Sequence, residues 1–245
     1  MLRNFKLYVE PDYKAMSLKA AEIFAKEVKA NPMGAFGFAT GSSPVGMYKA
    51  LSKMNKAGQI DMSKIRAYNL DEYHPIGPDD PQSYRYFMRE NLFESVGIAP
   101  ANAFIPDGTA KDPLAACAAF EEVLSQSGGI VMQILGIGTN GHIGFNEPAE
   151  NLHATTNYVP LAKETLISNS KNFNSPADMP KNAITMGMHS IMMAKRIILL
   201  ASGEGKAEIM QKALYGPIST MLPASLLQLH HDVTVVADSL AARLL

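Results

Sequence analysis

Short apolar runs alternate with longer amphipathic ones along the whole chain. Phe5-Lys6-Leu7-Tyr8-Val9, Ala35-Phe36-Gly37-Phe38-Ala39, Ile65-Arg66-Ala67-Tyr68-Asn69-Leu70 and Ile130-Val131-Met132-Gln133-Ile134-Leu135 each predict a strand. So do Arg196-Ile197-Ile198-Leu199-Leu200-Ala201 and Val233-Thr234-Val235-Val236-Ala237. Between them lie segments with helical spacing. Over residues 11–30, Met16, Ala20, Ile23, Phe24 and Val28 fall near one face, and Pro32 ends the run. Residues 44–57, 83–95, 112–126 and 204–214 also read as helices. Residues 154–161 alternate like a strand, and Ala183-Ile184-Thr185-Met186 is a short extended piece. Residues 168–181, rich in Asn, Ser and Pro, are expected to be a mobile loop or lid. Continuous apolar strands alternating with helices predict an α/β fold: a doubly wound, mostly parallel, Rossmann-like sheet with helices on both faces. With no internal repeat or low-complexity linker, residues 1–245 are expected to form a single domain.

In open sheets of this kind, ligands bind beyond the carboxyl ends of the strands. Four such ends carry polar chemistry: Thr40-Gly41-Ser42-Ser43, Asp71-Glu72, the loop from Gly136 to Pro148, and Gly203-Glu204-Gly205-Lys206. The Gly136 loop matches G-x-G-x-x-G through Gly136, Gly138 and Gly141. A dinucleotide fingerprint should open a long helix, however, and here Gly144 and Pro148 interrupt it. No nicotinamide or flavin is therefore expected. The same loop displays His142 between glycines, with Glu147 five residues later. An isolated histidine is more often an ordinary loop residue, but the context favours a proton shuttle. Proline at 148 holds Glu147 extended, and a carboxylate beside an imidazole supports proton transfer. Asn140 can hydrogen-bond either partner.

Asp71 and Glu72 are neighbours on an extended chain, so at most one faces a given side. Asp71, in phase with Asn69, is the one expected in the site. Thr40-Gly41-Ser42-Ser43 leads into the helix at Pro44, where backbone N–H groups make an anion site. Ordinary capping needs only one hydroxyl, and three hydroxyls with a glycine point to phosphate. Lys206, and Lys171 in the presumed lid, are candidate phosphate cations, although solvated surface lysines are the simpler reading of either.

Composition narrows the partners. A formal net charge of −1 gives no general attraction to nucleic acid or an anionic membrane, so a phosphorylated ligand would need a local cluster of cations. The one cysteine, Cys117, lies in an alanine-rich helix and reads as a small buried hydrophobe rather than a nucleophile. No intrachain disulfide is possible, the start has no apolar signal-peptide core, and no apolar run is long enough to span a membrane; a soluble cytoplasmic protein is expected. His74, His153, His189, His230 and His231 show no metal-binding spacing, so no metal is expected.

Taken together, these motifs resemble the glucosamine-6-phosphate deaminase (glucosamine-6-phosphate isomerase) family. The matching pieces are Thr40-Gly41-Ser42-Ser43-Pro44, Asn69-Leu70-Asp71-Glu72-Tyr73, Pro81-Gln82-Ser83-Tyr84, the run from Gly136 to Pro148, Ala183-Ile184-Thr185-Met186-Gly187, and Gly203 to Lys206. The resemblance implies a small amino-sugar phosphate as substrate and no cofactor. His142 would be the acid–base group for ring opening, supported by Glu147 and Asn140. Asp71 would move a proton from carbon 2 to carbon 1. Thr40, Gly41, Ser42, Ser43, Lys171 and Lys206 would hold the phosphate. Glucosamine and galactosamine substrates are not distinguished.

The chain departs from the family pattern at two positions. Many relatives carry aspartate where this chain has Asn140, which removes a negative charge beside His142. Lys171 falls where many have arginine, so the bidentate fork is lost. The allosteric members carry basic residues after the Pro148 loop and a longer C-terminal tail. Here the segment reads His153-Ala154-Thr155-Thr156-Asn157-Tyr158-Val159, without Lys or Arg. Simple kinetics and a monomer or small homo-oligomer are expected. The alternatives are a 6-phosphogluconolactonase-type hydrolase, which needs no carbon-2 proton abstraction, and a non-catalytic sugar-phosphate sensor. The sensor should come with a DNA-binding segment, and none is seen.

Overall fold

The structure, a computed structural model, describes residues 5–173, 175 and 177–245. In chain order the regular elements begin with β1 (Phe5–Glu10), α1 (Tyr13–Ala30), β2 (Ala35–Phe38), α2 (Val45–Lys56), β3 (Arg66–Asn69) and β4 (Asp71–His74). Next come α3 (Tyr84–Met88), which runs through a π turn (Arg89–Phe93) into α4 (Glu94–Val96), then β5 (Ala103–Phe104), α5 (Pro113–Ser125) and β6 (Ile130–Gly136). The last are β7 (Asn157–Pro160), α6 (Lys163–Asn169), β8 (Asn182–Thr185), α7 (Met188–Met192), β9 (Ile197–Ala201), α8 (Ala207–Tyr215) and β10 (Val233–Asp238).

Among the described residues, seven strands form one parallel sheet in the order β1-β10-β9-β6-β2-β3-β5; six of them are the predicted apolar runs, and the two-residue edge strand β5 is not among those. β9 and β10 are buried at every position, which explains their continuous apolar sequences. α1 begins where the Asp12 side chain accepts from Ala15 N at 2.8 Å. It presents Met16, Ala20, Phe24 and Val28 to the core, where the Phe24 ring lies 5.0 Å from Phe36 and 5.7 Å from Phe38. Each such large side chain contributes roughly 1.5–3 kcal/mol by leaving water. α5 starts in the same way, with Asp112 accepting from Leu114 N and Ala115 N and Pro113 in the first turn.

The strand order reverses at the centre. From β2 the chain winds outward through β3 to β5, then returns to place β6 on the other side of β2. The loops leaving β2 and β6 therefore diverge, and a crevice opens between them, as expected at a topological switch point.

The structure differs from the sequence expectation in two places. Asp71 and Glu72 do not end in a loop. At Leu70 the chain passes from one sheet to another: its N–H bonds Phe38 O (3.1 Å) in the parallel sheet, while its carbonyl accepts from Met186 N (2.8 Å). The chain stays extended as β4 and pairs antiparallel with β8, which also pairs with β7. The segment expected to be irregular from 168 begins inside α6 and continues as a 3-10 turn, Ser170–Asn172. Positions 174 and 176 of that segment lie outside the described residues. Behind the small sheet, Tyr73, Ile76, Phe145, Leu161, Met179 and Ala183 form a second apolar cluster.

Candidate active site

The crevice at the switch point is a cavity of about 340 Å³, within the usual range for small-ligand sites. Its wall is made by Thr40, Gly41, Ser42 and Ser43 after β2, by Asp71 at the start of β4, by residues 136–139 and His142 after β6, and by Lys206 after β9. Four strand ends separated by up to 166 positions in sequence thus meet at one rim.

His142 faces this cavity, while Glu147 and Asn140 stand behind it. The Glu147 carboxylate is the hub. Its Oε2 lies 3.1 Å from His142 Nδ1 and accepts from Asn140 Nδ2 at 2.7 Å, and its Oε1 accepts a short bond from the Thr165 hydroxyl on α6. Asn140 Oδ1 accepts from the backbone N–H of His142 at 3.2 Å. Burial alone would raise the Glu147 carboxyl, but His142's hydrogen bond and charge, the Thr165 hydroxyl and the Asn140 amide outweigh it and hold it below its ordinary value. A carboxylate that accepts at Nδ1 requires the proton there, so the neutral imidazole keeps its Nε2 lone pair for a ligand.

Asp71 has the opposite environment. It is 5% exposed and accepts no hydrogen bond among the described residues. Burial, reinforced by the Glu72 charge, pushes its pKa up to about 8. Alternation on β4 turns Glu72 away from the cavity. There its carboxylate accepts from Tyr73 N, Tyr84 N and Arg85 N at 2.8–2.9 Å, pinning the first turn of α3 to the strand. The two halves of the site touch at Gly144. At φ +58°, its backbone lies so close that an added Cβ would sit 3.3 Å from Asp71 Oδ2 and 3.0 Å from Thr185 Oγ1.

On the polar arm, Thr40-Gly41-Ser42-Ser43 does not cap α2: the residue before the helix is Pro44, and no side chain bonds the cap position. No helix-cap bond occupies its hydroxyls; the Thr40 side chain hydrogen-bonds the Tyr84 phenol, which also lines the cavity. Lys206 Nζ donates to Ile137 O at 2.7 Å, and burial pulls its ammonium below the ordinary lysine value. Lys171 is not brought to this wall. It is exposed on the 3-10 turn after α6, outside the residues that line the cavity.

Three contributors were not legible as site residues. Tyr84 was quoted within a motif but given no role, yet it lines the cavity. Its hydroxyl donates to Tyr73 Oη at 3.2 Å, and its ring stacks on Phe145 (5.9 Å, 9°). Burial, with the Tyr73 and Asp71 charges, keeps it a neutral phenol. Thr165 and Asn169, from α6, also reach the cavity, and Asn169 Nδ2 donates to Tyr73 Oη at 2.9 Å. No sequence signal marks a helix that reaches over a site built by other elements. Among the described residues, no cluster of three or more His, Cys, Asp or Glu could hold a metal ion, and no helix is long and apolar enough to cross a membrane.

A parallel doubly wound sheet with acid–base groups gathered at its switch point defines an α/β protein of the Rossmann-like class. A family model described as glucosamine-6-phosphate isomerases/6-phosphogluconolactonase matches residues 11–236, and the chain belongs to that family. It is 51% identical over 240 residues to a glucosamine-6-phosphate deaminase of Halothermothrix orenii, covering 98% of this chain and all of the relative. A glucosamine-6-phosphate deaminase of Thermoanaerobacter sp. (strain X514) is 48% identical over 240 residues, covering 98% and 95%. The solved structure of a monomeric glucosamine-6-phosphate deaminase superposes with a TM-score of 0.95 at 41% identity, over 98% of this chain and 100% of that one. A 6-phosphogluconolactonase from Trypanosoma brucei shares the fold at a TM-score of 0.79 and 17% identity, with 97% of each chain covered.

Proposed function

We propose that the protein is a glucosamine-6-phosphate deaminase, converting glucosamine 6-phosphate and water to fructose 6-phosphate and ammonia. The observation that carries the reading is the pairing, across one cavity, of the partnered imidazole of His142 with the partnerless buried carboxyl of Asp71. A lactone hydrolase needs a base for water but has no use for a second proton-transfer group at carbon 2. The names of relatives at about half identity support the same reaction.

In this mechanism His142 Nε2 takes the proton of the anomeric hydroxyl and returns it to the ring oxygen as the C1–O5 bond breaks. Glu147 stabilises the imidazolium formed in between, and Asn140 and Thr165 hold Glu147 in place. In the open chain, Asp71 removes the proton from carbon 2, giving an enolamine, and delivers a proton to carbon 1. The resulting ketimine at carbon 2 takes up water and expels ammonia. The redox change is internal to the sugar, so no cofactor enters. Asp71 must be ionised to begin. A substrate ammonium on carbon 2, next to it, favours the carboxylate and offsets the upward shift of the empty site. The Thr40–Ser43 turn and Lys206 hold the phosphate. Lys171, exposed in this structure, is left out of that set.

We further propose a monomer acting in the cytoplasm, where a phosphorylated sugar is retained. The test is ammonia release from glucosamine 6-phosphate, with Asp71→Asn as the control. Wild-type protein that releases no ammonia from any amino-sugar phosphate would remove the proposal.

A further inference from the structure

The Thr40–Ser43 turn is held in shape from outside by a residue of another helix. Tyr13, in the first turn of α1, donates its hydroxyl proton to Ser42 O at 2.8 Å, and the same oxygen accepts from Gly46 N at 2.8 Å. One hydroxyl therefore bridges both ends of the stretch from 42 to 46, across 29 and 33 positions of sequence.

Gly46 permits the contact. A Cβ there would fall 2.2 Å from Ser17 Oγ and 3.0 Å from Tyr13 Cε1, so any side chain would push α2 off α1. Gly46 N–H is also one of the first-turn donors of α2 that no intrahelical carbonyl can reach. Helices usually satisfy such a donor with a Ser, Thr, Asp or Asn just before them. Here Pro44 holds that place and no side chain bonds it, and Tyr13 does the work across the helix pair. Thr40, Ser42 and Ser43 line the cavity, and none of their side chains is taken up by capping the helix. The second bond fixes a peptide plane. With Ser42 C=O held by Tyr13, the trans geometry of the Ser42–Ser43 unit points Ser43 N–H to the opposite side.

We propose that Tyr13 is a positioning residue for phosphate binding: it pre-forms the 40–46 turn so that its amides and hydroxyls are aimed before the ligand arrives. The proposal rests on reading that turn as the phosphate site. Pre-formation acts on ground-state and transition-state binding alike, so its loss raises KM with little change in kcat.

Tyr13→Phe removes the hydroxyl and keeps the ring. The readouts are the Kd for inorganic phosphate by titration calorimetry, and kcat and KM for glucosamine 6-phosphate. The expected result is about a tenfold rise in both Kd and KM, equivalent to ~1.4 kcal/mol, with kcat within about twofold of wild type. Gly46→Ala, which separates the helices and leaves the hydroxyl in place, should move Kd and KM the same way. A wild-type Kd and KM in Tyr13→Phe, or a fall in kcat at unchanged KM, would overturn the proposal. So would a wild-type protein that binds no phosphate. If no ammonia is released by either protein, weakened phosphate binding in the variant still supports the role of Tyr13 while the deaminase reading fails.

Discussion

Replacing Asp71 by Asn should make the protein more stable in alkaline buffer while abolishing turnover. The carboxyl accepts no hydrogen bond among the described residues, and burial followed by the Glu72 charge lifts its pKa from 3.8 to about 8. Between those two values the folded state keeps a proton that the unfolded chain releases. Stability from this group is therefore fully present below the unfolded pKa and is lost as pH rises toward and through 8. Integrated from pH 5 to pH 8, the loss is about 3.6 kcal/mol, at about 1.36 kcal/mol per pH unit. Asn does not titrate, so the variant lacks this slope. It also buries an amide with no partner, which costs about 1–3 kcal/mol at every pH and cancels when the two pH values are compared. The assay is urea unfolding of both proteins at pH 5 and pH 8. The difference in unfolding free energy, variant minus wild type, should increase by about 3.6 kcal/mol between the two pH values. A difference that stays constant to within about 1 kcal/mol would refute the assignment of a raised Asp71.

Three further outcomes are expected. Thr165→Val removes the hydroxyl that holds Glu147 Oε1 and should lower kcat by about tenfold, with Thr165→Ser restoring most of it; kcat unaffected by Val would separate α6 from the chemistry. Asn140→Asp replaces a donor to Glu147 at 2.7 Å by a second carboxylate, so the added negative charge should favour protonated forms and move the pH–rate profile upward. An unchanged or downward-shifted profile would count against that. Rate against glucosamine 6-phosphate concentration should be hyperbolic, since residues 153–159 carry no Lys or Arg; a sigmoidal response relieved by N-acetylglucosamine 6-phosphate would contradict it.

The parallel sheet was legible because its strands are buried on both faces and so are written as unbroken apolar runs; β9, Ile197–Ala201, is an example. The phase of Asp71 and Glu72 was legible because strand alternation is local. What followed them was not. Whether Leu70 ends a strand or hands the chain to a second sheet depends on Phe38 and Met186, 32 and 116 positions away, and no window around Leu70 contains either. The same holds for Thr165 and Tyr13, whose hydroxyls act on Glu147 and on the Ser42–Gly46 turn across 18 to 33 positions. Both are ordinary helical positions until the tertiary contact is known. Lys171 is the converse case. Charge and motif position suggested a ligand contact, yet the 3-10 turn after α6 leaves the residue exposed and off the cavity wall.

In the proposed mechanism the two proton-moving groups need opposite settings, and the sheet crossing at Leu70 supplies the one around Asp71. Ring opening needs a group that alternates between neutral and protonated forms without being trapped in either. His142 is held by Glu147, whose carboxylate is in turn restrained by Asn140 and Thr165. Proton removal from carbon needs a stronger base than an ordinary carboxylate. Burial provides the strength, but an ionised buried carboxylate without a countercharge is costly. Burial avoids that cost by holding Asp71 protonated near neutral pH. On the proposed substrate, the amino group supplies the missing cation as it arrives, so Asp71 ionises only when there is a carbon-bound proton to remove. Glu72 cannot take over this role: strand alternation turns it away, and three backbone amides hold its oxygens. Glu72, left in place in Asp71→Asn, should therefore fail to sustain any ammonia release from glucosamine 6-phosphate, and residual turnover by that variant would contradict the assignment.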